Sequence, residues 1–125
     1  MEYIESEQAP KAIGAYSQAT KVANTLYLSG QIPLKPDTMT LVEGSIETQV
    51  RQVFDNLQAV CQAADMSLTH IVKLTVYLTD LSNKDVVNQE ILRLYPDKYP
   101  ARVMFEVSAL PMGASIEIDA IAIKE

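Results

Sequence analysis

An arginine and two carboxylates near the C-terminus are the residues whose types and spacing best suit chemistry in this chain. Arg102 lies in the stretch YPARVMFEV, and Glu117 lies in IEIDAIAI with Asp119 next along its own face of a predicted strand. Two residues along a strand span about 6.6 to 7 Å, so the two carboxyl groups are close enough to interact. An arginine in a pocket implies either an anionic ligand that comes and goes or a resident carboxylate.

Two interpretations of Arg102 and Glu117 stay open at this point. In the first, the two side chains form a structural salt bridge or lie at a solvated rim of the sheet. In the second they form a site, because a buried arginine without a partner is strongly destabilising and an anion would offset that cost. The sequence pattern alone does not choose between them.

The other residue types that commonly do chemistry are isolated. His70 is the only histidine and lies where a loop enters a strand, so we interpret it as a surface or strand-end residue. Cys61 is the only cysteine and lies on the apolar stripe of a predicted helix, which favours core packing over a nucleophile. Because the carboxylates are scattered and no His or Cys cluster exists, we expect no metal site.

Length and charge limit the classes of protein to consider. The chain has 125 residues, which suits one domain spanning 1–125. Its net charge of −6 repels phosphate backbones, and its ten Lys and Arg are scattered, so we expect no nucleic-acid partner. The start MEYIESEQAP does not resemble a signal peptide, and the best apolar run, IVKLTVYL, is short and charged, so we expect a soluble cytoplasmic protein with no membrane partner.

The elements that must position these residues alternate in type along the chain. Ser45 is a predicted N-cap for an amphipathic helix over about 46–64, with Glu47 in its first turn. A capping box at SNKD, 82–85, predicts a second helix that ends before Pro96. With the strands, the predicted order is β-β-loop-α-β-α-β-β.

Period-2 patterns assign faces to the strands. Each strand has one face that we expect to cover the core, formed by Leu26, Leu28 and Ile32; by Val72, Leu74, Val76 and Leu78; and by Ala101, Val103, Phe105 and Val107. The second face then holds Arg102, together with the apolar residues Tyr27, Ile71, Tyr77, Met104, Ile121 and Ile123. Two helices can cover only one face, so we expect a homo-oligomer that buries the second face between subunits.

Four stretches together resemble a known family. PARVMFEVSALP, a short spacer and IEIDAIAI resemble the C-terminal signature of the RidA/YjgF family of enamine/imine deaminases. AIGAYSQA and LSGQIP are similar to its first strands, and VVNQEI is similar to its second helix. The match runs in order, with its spacings, over nearly the whole chain.

The resemblance implies both a fold and an activity. It implies an α+β, chorismate-mutase-like subunit with a mixed, mostly antiparallel sheet and two helices on one face. Three subunits would close a homotrimeric barrel with clefts between neighbours. The implied reaction hydrolyses enamines and imines that carry a carboxylate, such as 2-aminoacrylate and 2-iminobutyrate, to 2-keto acids and ammonia. Pyridoxal-phosphate dehydratases produce these intermediates, and the deaminase itself would need no cofactor.

The resemblance also implies roles for individual residues. Arg102 would hold the substrate carboxylate in bidentate fashion, and Glu117 would position and activate the attacking water. Tyr16 would line the cleft, and Ser29 and Gly30 would lie at its carboxylate end.

Three further positions qualify this assignment. Asn88 matches a recurrent helix asparagine with a structural rather than chemical role. Met104 stands where many members have cysteine, so we expect only its backbone N–H to bind substrate. Ala15 replaces a common proline, which is expected to loosen the loop at Tyr16.

Two other kinds of function remain as main alternatives, and a third has weaker support. One is a regulatory trimer that binds 2-keto acids without catalysis, although Glu117 is superfluous for binding alone. The other is an RNA-cleaving or translation-inhibiting activity, which the acidic balance disfavours. A chaperone-like role has only the apolar second face in its support.

Overall fold

A six-stranded mixed sheet organises the computed structural model, which describes residues 1–125. The strands are β1 (Glu2–Ile4), β2 (Ala19–Val22), β3 (Thr25–Gln31), β4 (Ile71–Leu78), β5 (Ala101–Glu106) and β6 (Ile116–Ile123), in the spatial order β1-β2-β3-β6-β4-β5. Every neighbouring pair is antiparallel except β4 and β5, which are parallel. The helices are α1 (Ile46–Ala63) and α2 (Lys84–Leu94). These elements confirm the predicted α+β subunit and its mostly antiparallel sheet, but three strands precede α1 where the sequence predicted two.

Helix α1 follows its sequence pattern closely. The Ser45 hydroxyl accepts a hydrogen bond from the Thr48 N–H at 3.3 Å, and Glu47 lies in the first turn. Its buried face packs on the sheet through Val50, Val53, Phe54, Asn56, Leu57, Ala59, Val60 and Cys61. Burial of this apolar stripe is the main force that holds the helix in place.

The capping box predicted for α2 is wrong. The Asp80 carboxylate, not Ser82, accepts the local hydrogen bond, from the Ser82 N–H at 3.0 Å, and thereby caps a short 3-10 turn. Helix α2 begins only at Lys84, and its N-cap Asn83 makes no capping hydrogen bond with its side chain. The SNKD pattern spans the junction between the 3-10 turn and α2, and its side chains do not cap the helix.

The face assignment of β4 needs one correction. Leu74, Val76 and Leu78 are fully buried as predicted. Ile71 is buried and Val72 is exposed, however, which reverses the predicted order for these two residues. An irregularity in the register between Ile71 and Lys73 explains the reversal, because a bulge moves the residues beyond it to the opposite face.

The face assignment of β5 is wrong throughout. In the parallel register Arg102, Met104 and Glu106 pair with the buried residues Leu74, Val76 and Leu78, so they share the helix-covered face. Val103 and Phe105 therefore lie on the other face, where they are 42% and 41% exposed. β5 is an edge strand that pairs only with β4, so its register with β4 determines which face of the sheet its apolar residues lie on.

The face without helices, called the open face below, carries apolar and charged side chains together. It is formed by Tyr27, Tyr77, Val103, Phe105, Glu117, Asp119, Ile121 and Ile123. Four of its apolar members are well exposed in the single chain, as the sequence predicted for Tyr27 and Ile123 but not for Val103 and Phe105. None of the helices has both the length and the apolar character to cross a membrane.

Candidate active site

Two separate cavities hold the residues that the sequence singled out. The first, the glutamate cavity, has a volume of about 320 Å³, and its walls include Tyr16, Ser29, Gly30 and Glu117. The second, the arginine cavity, has a volume of about 520 Å³ and is lined by Leu74, Asn88, Ile91, Leu92, Tyr99, Pro100 and Arg102. The two cavities share no lining residue, so a single chain does not bring Arg102 and Glu117 together.

A bulge in β3 creates the space for Glu117. Leu28 pairs with Ala120 and Gln31 pairs with Ile118, which leaves Ser29 and Gly30 opposite the single residue Asp119. A Cβ atom built on Gly30 would lie 2.0 Å from Oε2 of Glu117. Only glycine therefore leaves room for the carboxylate at this point, which gives a physical reason for the Ser-Gly pair in the strand.

The Glu117 carboxyl group lies in a setting that favours its protonated form. Partial burial raises the pKa of Glu117, and the nearby negative charge of Asp119 raises it further. Tyr77 pairs with Glu117 across β4 and β6, and its hydroxyl donates to Oδ2 of Asp119 at 2.8 Å. A raised pKa makes the ionised carboxylate a stronger base, so Glu117 is suited to taking up and returning a proton.

The N-terminal loop that carries Tyr16 is tied to β3. The Ser29 hydroxyl donates to the Ser17 carbonyl at 2.6 Å, and the Ser29 N–H donates to the Gln18 carbonyl at 3.0 Å. The Tyr16 hydroxyl accepts a hydrogen bond from the Ile13 N–H at 3.3 Å, while the side chain stays 49% exposed. The Ser29 hydroxyl is therefore engaged with the backbone and acts in this chain by holding the Tyr16 loop.

Arg102 lies at the free edge of the sheet and has no carboxylate partner. Its guanidinium donates to Oδ1 of Asn88, which α2 positions across the arginine cavity. The ion pairs of the structure join Arg51 and Arg93 to Glu90, and neither involves Arg102. The structural salt bridge between Arg102 and Glu117, one half of the first interpretation, is therefore wrong, because the two residues lie on opposite faces of the sheet. Its other half, a position at the solvated rim of the sheet, agrees with the exposed Arg102 on the edge strand.

The face predicted for Arg102 also needs correction. The sequence placed it on the face expected to be buried between subunits, whereas the β4–β5 register places it on the helix side. Its side chain is exposed in the single chain. At the edge strand it can still approach a neighbouring molecule, because nothing in the chain covers β5 from outside.

Met104 has different roles for its side chain and its backbone. The side chain is partly buried and packs against the main core. The Val107 N–H donates to the Leu78 carbonyl at 2.8 Å, and alternate residues of a parallel strand point toward the same neighbour. The Met104 N–H therefore points away from β4, off the free edge, on the side where a ligand or a second subunit can reach it.

The structure also shows residues that the sequence analysis did not select. Lys11, Ile13 and Pro111 line the glutamate cavity beside Tyr16 and Glu117. Lys11 and Ile13 come from the N-terminal loop and Pro111 begins a short 3-10 turn, and side-chain positions in such segments follow no period that a sequence pattern could reveal. Asp119 was noticed for its spacing, but its hydrogen bond with Tyr77 depends on how β4 and β6 pair and was not foreseen.

The fold and the residues of the two cavities define a RidA-like α+β protein. The family model described as Endoribonuclease L-PSP matches residues 6–124, which is nearly the whole chain. The chain belongs to this family, which is also called the RidA/YjgF/RutC family.

Curated relatives span almost the same length. A RutC family protein of Pyrococcus horikoshii is 47% identical over 124 residues, which cover 99% of this chain and 98% of the relative. The human 2-iminobutanoate/2-iminopropanoate deaminase is 40% identical over 121 residues, which cover 97% of this chain and 88% of the relative. The family therefore includes deaminases at about this level of identity.

Solved structures share the fold over the full chain. RidA from an Antarctic Psychrobacter superposes with a TM-score of 0.95 at 45% identity and covers 99% of this chain and 100% of its own. E. coli TdcF superposes with a TM-score of 0.93 at 33% identity, covers 100% of both chains, and was solved with bound serine. A member of this fold thus binds a small molecule that carries a carboxylate.

Proposed function

We propose that this protein hydrolyses reactive 2-enamines and 2-imines, such as 2-aminoacrylate and 2-iminobutyrate, to 2-keto acids and ammonia. The observation that carries the proposal is that Arg102 and Glu117 are both present and neither neutralises the other. An uncommitted guanidinium suits the substrate carboxylate, and a half-buried carboxyl with a raised pKa suits proton transfer. The human relative's name supports the same chemistry.

The proposed active unit is a homotrimer in which the site lies between subunits. One subunit would contribute the arginine cavity, and its neighbour would contribute the glutamate cavity. Two features support this arrangement: the cavities share no residue within one chain, and the apolar open face has no covering element. Each trimer would then contain three equivalent clefts.

Substrate binding comes first in the proposed mechanism. The Arg102 guanidinium grips the substrate carboxylate, and the Met104 N–H is placed to donate a further hydrogen bond at the strand edge. Asn88 holds the guanidinium from α2. An enamine substrate first takes a proton from solvent on its β-carbon and becomes the protonated imine, which is the form that reacts.

Hydrolysis then needs one carboxyl group that moves a proton twice. Glu117 takes a proton from water as the water oxygen bonds to the imine carbon, which gives a carbinolamine. Glu117 returns that proton to the nitrogen, the C–N bond breaks, and the hydroxyl proton passes to the departing ammonia. The products are a 2-keto acid and an ammonium ion, and no cofactor or metal ion takes part.

A coupled assay tests the proposal directly. A pyridoxal-phosphate threonine dehydratase generates 2-iminobutyrate in solution, and the release of 2-ketobutyrate is followed with and without this protein. We expect the protein to accelerate release well beyond spontaneous hydrolysis. Equal rates with and without the protein would refute the deaminase assignment. We also propose that the protein acts on imines released by such dehydratases and shares their cytoplasmic location.

The same preparation separates the alternative functions. A non-catalytic regulatory trimer would bind 2-ketobutyrate in calorimetry without accelerating its release from the imine. An RNA-cleaving member would degrade a single-stranded RNA, which the family model's description makes worth measuring. We expect keto-acid binding together with turnover and no RNA cleavage, because a net charge of −6 repels the phosphate backbone.

A further inference from the structure

A tyrosine–aspartate pair lies beside Glu117 on the open face, and the mechanism above does not use it. The Tyr77 hydroxyl donates to Oδ2 of Asp119 at 2.8 Å. Tyr77 stands opposite Glu117 in the β4–β6 register, and Asp119 follows Glu117 on the same face of β6. The hydroxyl therefore reaches diagonally past Glu117 to its acidic neighbour.

The pair is held from two sides. The rings of Tyr77 and Phe105 meet edge to face with centroids 5.1 Å apart at 85°, which fixes the tyrosine ring. Several effects raise the pKa of Tyr77 to about 12, and the largest is its hydrogen bond to Asp119. The hydroxyl thus remains a proton donor throughout the neutral range, and the Asp119 carboxylate stays in its position next to Glu117.

The charges around Glu117 leave Asp119 as its main electrostatic neighbour. The titratable groups that face this region come from the N-terminal loop, β3, β4 and β6, and are Lys11, Tyr16, Tyr27, Lys73, Tyr77 and Asp119. Strand β5 contributes only Val103 and Phe105 on this face. No ion pair joins a lysine to Glu117 or Asp119, so the negative charge of Asp119 is not neutralised.

We propose that Asp119, held in place by the Tyr77 hydroxyl, is a positioning residue that keeps Glu117 able to take up and return a proton during imine hydrolysis. The inference rests on the proposed function, in which Glu117 carries the proton. A fixed negative charge favours the neutral form of a nearby carboxyl group, and two carboxyl groups in unlike settings divide into one fixed charge and one proton carrier. The Tyr77 hydroxyl holds the Asp119 carboxylate in place, and Glu117 carries the proton.

The test measures the protonation of Glu117 directly and, separately, the pH dependence of the catalytic rate. The carboxyl carbon of Glu117 is followed by ¹³C NMR during a pH titration of the intact protein, and kcat/KM for 2-iminobutyrate is measured over the same range. For Asp119→Asn we expect the Glu117 titration and the matching inflection of the rate profile to move to lower pH. For Tyr77→Phe we expect a smaller shift in the same direction, because Asp119 remains but is released.

Two matched variants serve as controls. Tyr27→Phe removes a hydroxyl from the same open face, and Glu43→Gln removes an exposed carboxylate that lines neither cavity. Neither should move the Glu117 titration. If Asp119→Asn does not fold, Tyr77→Phe decides the question by the same two readouts.

The outcomes separate this inference from the proposed function. An unchanged Glu117 titration in Asp119→Asn, or in Tyr77→Phe when only that variant folds, overturns the inference even if the enzyme is active. A shifted titration in a protein without deaminase activity supports the electrostatic coupling and refutes the deaminase instead. A loss of thermal stability with no shift in either profile would show that the pair is only structural, and would also overturn the inference.

Discussion

The glutamate cavity and the arginine cavity differ in how firmly the fold holds their key side chains. Glu117 lies on an interior strand, packed over Gly30 and flanked by the hydrogen-bonded pair of Tyr77 and Asp119. Arg102 lies on an edge strand, exposed, with Asn88 as its hydrogen-bond partner. Glu117, the proposed proton carrier, is therefore held in place within one chain, whereas Arg102, the proposed anion anchor, is left open to a ligand and to a neighbouring subunit of the proposed trimer.

The largest expected effect comes from removing the anchor. Arg102→Ala should reduce kcat/KM for 2-iminobutyrate by about 10³-fold, and Arg102→Lys should be nearly as poor because a lysine cannot grip a carboxylate in bidentate fashion. The loss should be mainly in KM, with part in kcat if the substrate misaligns. Steady-state kinetics measure both constants, and Arg51→Ala, an exposed arginine outside both cavities, is the control. Normal turnover by Arg102→Ala would remove Arg102 from the site.

A second prediction asks whether the two cavities meet between subunits. Glu117→Gln and Arg102→Ala should each be nearly inactive alone, with losses of about 10²-fold or more. When the two are co-expressed equally and mix at random, about one quarter of the clefts in the proposed trimer regain both intact residues. The expected readout is about a quarter of the wild-type kcat per site.

The same co-expression experiment can contradict the arrangement between subunits. If each site lies within one chain, mixing restores nothing, and the arrangement between subunits is wrong. Titration with 2-ketobutyrate in Glu117→Gln adds a check, since binding should survive where the arginine is intact. Loss of the fold in that variant would instead assign Glu117 a structural role.

A third prediction concerns the space under Glu117. Gly30→Ala places a Cβ atom that would lie 2.0 Å from Oε2 of Glu117, so the carboxylate must move. We expect kcat to fall by about 10- to 100-fold with KM less affected, because a displaced carboxyl no longer meets the attacking water. Gly14→Ala is the matched control, since its Cβ atom meets Tyr16 only at 3.5 Å. Equal kinetics for the two variants would contradict the close packing of Glu117 on Gly30.

The smallest expected effect lies in the arginine cavity. Asn88→Ala removes the amide that accepts from Arg102, which should raise KM by about 3- to 10-fold with kcat nearly unchanged. Gln89→Ala, the exposed next residue of α2, is the control. A large loss of kcat in Asn88→Ala would mean that the asparagine contacts the reacting atoms, and its assigned supporting role would be wrong.

Much of the fold follows from patterns that the chain carries locally. The apolar stripe of α1 after Ser45 predicted a helix over 46–64, and the structure has Ile46–Ala63. The alternation in IEIDAIAI placed Glu117 and Asp119 on one face, opposite the buried Ile116 and Ile118. These predictions were confirmed because the period of a single element depends on that element alone.

The wrong face assignments lie where the pairing of two strands determines the position of the side chains. The apolar residues Val103 and Phe105 of β5 were assigned to the core, yet the register with β4 turns them to the open face. The bulge opposite Asp119 and the irregularity near Ile71 also arise from pairing between strands. The local sequence of these stretches does not specify which residue of the neighbouring strand each residue pairs with.

By itself, the sequence determined the two helices, five of the six strands in their order, the family and the residue types available for chemistry, among them Arg102 and Glu117. Only the tertiary structure decided that these two residues lie on opposite faces, that Gly30 makes room for the carboxylate, and that Tyr77 holds Asp119. The physical reason is that periodicity states that side chains alternate, whereas pairing between strands and the placement of the helices determine which side each one takes.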